Sequence, residues 1–245
     1  LEGMPPVLEL PTDRSRPDTP TFRGASVAMH IPGELTTRLR ALAQREDATP
    51  FMVFLTAFQA LLHRYTGQTD FGVGTVIANR ARTETEGLIG LFANTLVMRA
   101  HLAGNPSFRD ALRRMGTTAL EAYAHQDLPF EKLVEELHPE RDHRHNPLFQ
   151  VMFAYQNLPD HAPEPWPGLT VSPIEVAKPT AKFDLTVYLS ETADGLSATW
   201  QFNTDVFDEP RIARMTGHFR TMLDAVAAAP ESALSDLPLL TAAER

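Results

Sequence analysis

The 245 residues carry 31 acidic and 22 basic side chains, a formal charge of −9, and are 43% hydrophobic and 22% charged. That is the make-up of a globular protein with a sizeable core, and its acidic balance opposes binding to nucleic acid or to an anionic membrane surface. There is no cysteine, which excludes disulfides, thiolate metal sites and cysteine nucleophiles, and no apolar run approaches the ~20 residues of a bilayer span.

No basic-then-apolar leader is visible at Leu1-Glu2-Gly3, and the missing initiator methionine suggests an excised or trimmed segment. A cytoplasmic protein is the expectation. Residues 1–24, rich in proline between 4 and 20, read as an extended arm or linker. Ser26 to Ile31 alternates weakly, as a strand does, before Pro32-Gly33 breaks the chain. Leu35, Leu39 and Leu42 then mark an amphipathic helix. Thr49-Pro50 is an N-cap followed by a first-turn proline. The helix it starts, Phe51 to Tyr65, is apolar nearly all round, so it belongs in the centre of a core; Gly67 supplies its stop.

Asp70 to Ile77 reads as a strand in which Gly72 and Gly74 imply the close approach of another backbone or a ligand. A polar loop, Ala78 to Gly87, follows. Asn94 to Leu102 is the next strand: Leu96, Met98 and Ala100 share one face, and Thr95, Val97, Arg99 and His101 share the other. Asn105-Pro106-Ser107 is a turn, and Ser107 with Asp110 resembles a capping box. Phe108, Leu112, Met115, Ala119 and Ala122 keep helical period up to His125.

The stretch His125-Gln126-Asp127-Leu128-Pro129-Phe130-Glu131 starts a further helix. Asp127 is placed to cap it, Pro129 suits its first turn, and Phe130, Leu133, Val134 and Leu137 form its stripe. Pro139 closes it. The charged segment Arg141-Asp142-His143-Arg144-His145 runs into the turn Asn146-Pro147 and a strand from Phe149 to Tyr155. Leu158 to Pro167 is an irregular excursion. Leu169 to Val176 and Phe183 to Leu189 are strand candidates, and Asp194-Gly195 is a hairpin turn into Leu196 to Phe202. Asp208 caps a last helix striped by Ile212, Met215, Phe219, Leu223 and Val226, and residues 229–245 read as linker. Strands and helices mix without strict alternation, which makes an α/β chain: a mixed sheet with helices packed on it, in one lobe over residues 25–228.

Three segments resemble motifs of the condensation domains of non-ribosomal peptide synthetases. They are Gly90-x-Phe92-x-Asn94-Thr95…Arg99, His125 to Glu131, and Arg141 to Leu148, in the family's order and spacing. The resemblance implies one chloramphenicol-acetyltransferase-like lobe of a two-lobed domain with a tunnel between the lobes. It also implies amide formation between carrier-bound acyl and aminoacyl thioesters. The family's catalytic signature, His-His-x-x-x-Asp-Gly, is absent; no two histidines are adjacent here. In the family that signature lies in the first half, so this chain is expected to be the C-terminal lobe, inactive alone. Its implied partners are the N-terminal lobe, donor and acceptor carrier proteins and an adenylation domain. No cofactor is expected on the chain itself, since phosphopantetheine belongs to the carriers. Two other readings remain open: a small stand-alone acyltransferase using one of the histidines, and a non-catalytic module docking carrier proteins.

Within the motifs, a charged Arg99 inside a strand needs either an acidic partner or a polar cavity. The resemblance makes Asn94, Thr95 and Arg99 the candidate cleft motif, with an interior ion pair of Arg99 as the other reading. A general-base pair of His125 with Asp127 is disfavoured, because neighbours in sequence seldom point at one another. His125, Gln126, Asp127, Pro129 and Glu131 read as a structural turn, with Arg141, Asp142 and Asn146 as a loop anchor. Asn79 and Arg80 lie in the loop that relatives use as the tunnel floor. His138, His143 and His145 have the residue types of metal ligands but no third ligand at a suitable offset, so no metal is expected.

Overall fold

The computed structural model describes residues 1–80, 83–137, 144–156, 169 and 179–245. The elements follow as β1 (Gly24–Pro32), α1 (Gly33–Arg45), α2 (Pro50–Thr66), β2 (Asp70–Ile77), α3 (Thr83–Glu86), β3 (Asn94–His101), α4 (Phe108–Ala124), α5 (Phe130–Leu137), β4 (Val151–Gln156), β5 (Leu185–Thr192), β6 (Gly195–Asn203) and α6 (Glu209–Ala228). The excursion from Leu158 to Pro167 lies outside the described residues. So does the candidate strand from Leu169 to Val176, Leu169 apart.

Helix α2 centres the core. Met52 through Leu62 are buried without a break, the burial its all-round apolar sequence demands. Helices α1, α4 and α6 pack around it, and the sheet closes the remaining side. The ring of Phe58 lies 5.4 Å from Phe153 on β4, 5.8 Å from Trp200 on β6 and 6.3 Å from Phe219 on α6. Thr49 caps the helix by accepting from the Met52 N–H at 3.2 Å.

The strands form one mixed sheet in the order β1-β6-β5-β4-β2-β3. β4 runs parallel to β2 and β5, and the other neighbours are antiparallel. The alternation read from β3 divides its two faces between two clusters. Leu96, Met98 and Ala100 join the main core. Val97 joins a smaller cluster with Leu148, Phe149 and Met152, which α5 covers through Phe130, Leu133, Val134 and Leu137.

At Gly72 the expected close approach includes a backbone, with the Leu148 carbonyl 3.0 Å from where a Cβ would stand, and at Gly74 it is a ring. A Cβ on Gly74 would stand 2.3 Å from Phe149. The Pro32-Gly33 pair does not interrupt the chain: Pro32 is both the last residue of β1 and the N-cap of α1. The β5–β6 turn falls one residue earlier than expected, because Gly195 is already paired with Thr192 and with Pro32. Its φ is +147°, and a Cβ there would meet the Ile31 carbonyl at 2.1 Å. The Ala78 to Gly87 loop holds a single helical turn, α3. Asp208 occupies the N-cap of α6 without bonding the helix; its carboxylate instead accepts from Arg14 at 2.6 Å.

Both end segments, read as an extended arm and a linker, are bonded to the body. Leu8 is buried and its N–H donates to Gln150 Oε1 at 2.8 Å. Arg16 forks onto Asp184, with Nη1 to Oδ1 at 2.8 Å. Leu234 and Leu237 are buried, and Arg64 donates to their carbonyls at 3.1 and 2.7 Å. At the tail's end, buried His218 takes the Tyr65 hydroxyl on Nδ1 (2.7 Å) and Glu244 on Nε2 (3.0 Å). Hydrogen bonds from Thr241, then His218, hold the Glu244 carboxyl down to about 2. Apolar and ionic residues scattered through a proline-rich segment gave no periodic signal, yet they suffice to dock it.

Gly74→Ala is expected to lower unfolding stability by about 1–3 kcal/mol, the usual cost of overpacking. Gly116→Ala in α4 has no heavy atom within 4 Å of the new methyl and is expected to be neutral or to gain up to about 1 kcal/mol. Urea denaturation of the pair checks both signs.

Candidate functional site

The site begins at Asn94, the first residue of β3. Its side-chain nitrogen donates to the Gln126 and Leu128 carbonyls, both at 2.8 Å, and its oxygen accepts from the Phe130 N–H at 3.1 Å and the Thr95 N–H at 2.9 Å. One carboxamide thus bonds the turn between α4 and α5 to the edge strand. It also takes the first N–H of α5, the role expected of Asp127. Asp127 is exposed, and among the described residues its side chain and that of His125 make no hydrogen bond. Pro129 starts α5 by accepting from the Lys132 and Leu133 N–H groups at 3.0 and 3.1 Å. Glu131 sits exposed in the first turn, where a carboxylate suits the helix dipole.

Arg99 has the acidic partner that a charge within a strand requires. Its Nε and Nη2 donate to the two oxygens of Asp70 at 2.7 Å each, and Nη1 donates to the Glu2 carbonyl at 3.0 Å. Those bonds hold the Asp70 carboxyl below its ordinary value against the opposing effect of burial. Arg99 also lines a cavity of about 370 Å³ at the edge of the sheet. β3 contributes Thr95, Val97 and Arg99 to its wall. α4 contributes Thr118, Glu121 and Ala122, and its C-cap contributes His125, the four spaced by three, one and three as on one helical face. The sequence reading missed Thr118 and Glu121. Their spacing from His125 was the available signal, and the adjacent core stripe of α4 masked it.

Leu128 of the motif turn also lines the cavity; the loop residues of the other motifs fall outside it. Asn146 donates to the Lys182 carbonyl at 2.8 Å and accepts from Gln150 at 2.9 Å, anchoring its loop. Gln150, buried and not foreseen, joins that loop to the Pro6 carbonyl at 3.0 Å. Asn79 adopts a positive φ of 50°. Arg80 donates to the Thr85 carbonyl and, at 3.1 Å, to the Gly90 carbonyl, while its guanidinium stands 4.3 Å over the Phe92 ring. Beyond that fastening Ile89 and Leu91 project into solvent, 104% and 92% exposed. Arg141, Asp142, His138 and His143 lie outside the described residues. Among the described residues no three His, Asp or Glu side chains are placed to hold a metal ion, and no helix is long and apolar enough to cross a membrane.

The model of the condensation-domain family matches residues 1–245. A linear gramicidin synthase protein of Brevibacillus parabrevis is 51% identical over 246 residues, covering 100% of this chain and 5% of that protein. Phosphinothricin tripeptide synthetase PhsB of Streptomyces viridochromogenes is 44% identical over 248 residues, covering 100% of this chain and 21% of that protein. The chain therefore spans a small part of the length of these relatives. Among solved structures, the X-domain from teicoplanin biosynthesis superposes with a TM-score of 0.87 at 28% identity, over 97% of this chain and 54% of its own. The condensation domain of the Monacolin K polyketide synthase MokA shares the fold, with a TM-score of 0.77 at 21% identity, over 91% of this chain and 51% of its own.

Two outcomes follow from this geometry. Asn94→Ala leaves the Phe130 N–H and two carbonyls without their partner; it is expected to cost about 1–3 kcal/mol. Hydrogen exchange is expected to rise across 126–137 and to stay unchanged in β4. The Asp70–Arg99 pair contributes fully above the unfolded carboxyl value, about pH 4, and its contribution is lost as pH falls through the lower folded value. Asp70→Asn is expected to remove that part of the acid sensitivity in melting curves taken from neutral to acid pH.

Proposed function

This chain belongs to the condensation-domain family, and from that premise we propose that it is the C-terminal lobe of a two-lobed domain forming amide bonds in non-ribosomal peptide synthesis. The observation that carries the reading is one of proportion. The chain is matched almost end to end, yet it accounts for 54% of the teicoplanin X-domain chain and 51% of the MokA condensation-domain chain. Its motifs, the Asn94 to Arg99 segment and the turn at His125 to Glu131, are those of the second half, and the His-His-x-x-x-Asp-Gly signature of the first half is missing from the sequence.

In the proposed reaction the amine of a carrier-bound aminoacyl thioester attacks the carbonyl carbon of a second carrier-bound thioester. A C–N bond forms, the C–S bond breaks, and the thiolate leaves with the proton that the amine gives up. The imidazole that would receive that proton belongs to the companion lobe. The role of this chain is to build one wall of the channel. Asn94 fixes the α4–α5 turn against β3, and Arg99, neutralised by Asp70, stiffens the β2–β3 pair without presenting a bare charge. The apolar tips Ile89 and Leu91, held out by the Arg80 fastening, suit burial against that second lobe. The donor and acceptor carriers bring the phosphopantetheine arms, and a neighbouring adenylation domain loads the acceptor.

The test is an assay of this polypeptide with both carriers loaded. No amide product is expected from the chain alone, and product is expected when an N-terminal half bearing the histidine signature is supplied. Turnover by the chain alone would overturn the division of roles.

A further inference from the structure

We propose that the groove between Gln68 and Gln150 is a receptor for an extended peptide main chain bearing a leucine, and that residues 4–10 occupy it as an exchangeable ligand. The inference rests on the contacts of this segment and not on the condensation reading.

The side chain of Gln150, buried just before β4, accepts from the Leu8 N–H at 2.8 Å and donates to the Pro6 carbonyl at 3.0 Å. The side chain of Gln68, in the turn before β2, accepts from the Glu9 N–H at 2.7 Å and donates to the Val7 carbonyl at 3.0 Å. Residues 6 and 8 therefore bond to one side and residues 7 and 9 to the other, the alternation of an extended chain between two strands. Two carboxamides stand in for those strands, since each offers the donor and the acceptor of a peptide unit. Arg99 adds a further main-chain bond, from Nη1 to the Glu2 carbonyl at 3.0 Å. From residue 4 to residue 10, Leu8 is the one buried side chain, and Met4 and Leu10 pack partly. Among the described residues no side chain of that stretch makes a hydrogen bond or an ion pair.

Both glutamines are fixed by the body and not by the arm. The Gln68 carbonyl bonds His63 Nδ1 at 2.8 Å, and its N–H donates to the Thr66 hydroxyl at 3.1 Å. The Gln150 carbonyl accepts from the Asp184 N–H at 2.9 Å, and its side-chain nitrogen also donates to the Asn146 carbonyl at 2.9 Å. Donors and acceptors held in place beforehand lose little freedom when a segment binds them. Main-chain bonds that read an extended backbone, with one side chain read by an apolar pocket, are the division of labour at strand-addition sites. The exposed Glu9 side chain leaves its position open in composition. Pro11 and Thr12 are exposed, and the next anchor begins at Asp13, whose N–H donates to the Val206 carbonyl at 2.9 Å. The segment in the groove is thus joined to that anchor by a link that can be cut.

The experiment inserts a site-specific protease sequence between Pro11 and Thr12 of the full chain and cuts it, so that every residue is retained. The nicked chain is expected to keep a cooperative melt. It is also expected to take up a fluorescent peptide of residues 1–11 saturably, in exchange for its own segment, as read by anisotropy. The uncut chain, whose groove is filled by a tethered segment, is expected to bind that peptide about tenfold more weakly. A peptide N-methylated at Leu8, which removes the N–H given to Gln150, or one carrying Leu8→Asp, is expected to bind the nicked chain about tenfold more weakly than the parent. A Glu9→Gln peptide is expected to bind as the parent does. Loss of the cooperative melt on cutting, no saturable uptake, or an N-methylated peptide bound as tightly as the parent would each overturn the proposal. None of these results bears on whether the chain needs a second lobe for amide synthesis, so the two readings fail separately.

Discussion

Helix α2 has no polar side to offer water, and the layering of the molecule follows from that. Eleven successive residues from Met52 to Leu62 are buried, each large apolar one stabilised by roughly 1.5–3 kcal/mol on leaving water. Covering such a helix takes neighbours all around it. α1, α4 and α6 supply them on one face of the sheet, and β4 and β6 supply Phe153 and Trp200 from beneath. The helix-bearing face is thereby committed to the main core, and α5 is left to cover part of the opposite face with the smaller cluster around Phe149.

That division places the site at a seam. β3 is an edge strand, and its two faces feed different clusters. The chain must cross from α4, on one face, to α5, on the other. A crossing turn exposes carbonyls and a helix start that need partners. The carboxamide of Asn94 meets that need with two donors and one oxygen, which an aspartate or a serine does not combine. The cavity is the space left where α4 and α5 diverge around the edge of β3.

Electrostatics acts mainly as fastening. Arg99 with Asp70, Arg16 with Asp184 and Arg80 over Phe92 each fix a loop or an end segment to something more rigid. Their value here lies in position: they hold the arm, the motif strand and the loop beneath Ile89 and Leu91 in set places.

Local patterns in the sequence determined the elements themselves. The alternation of Leu96, Met98 and Ala100 against Thr95, Val97 and Arg99, the all-round apolar α2, and the Thr49 and Ser107 caps each depend on residues a few positions apart, and each was legible. The glycines of β2 also announced a close approach, though not that Phe149 would be the group approaching. What tertiary structure alone decided are the contacts between distant residues. Asn94, 36 residues away from Phe130, replaces Asp127 as the partner of that N–H. Asp70 answers Arg99 across a strand pair, and Leu8, Leu234 and Leu237 turn apparent linkers into packed segments. The physical reason is the range of the interaction: periodicity reports which face of an element is apolar, whereas a hydrogen bond or ion pair across the fold depends on which elements meet, and only the completed packing sets that.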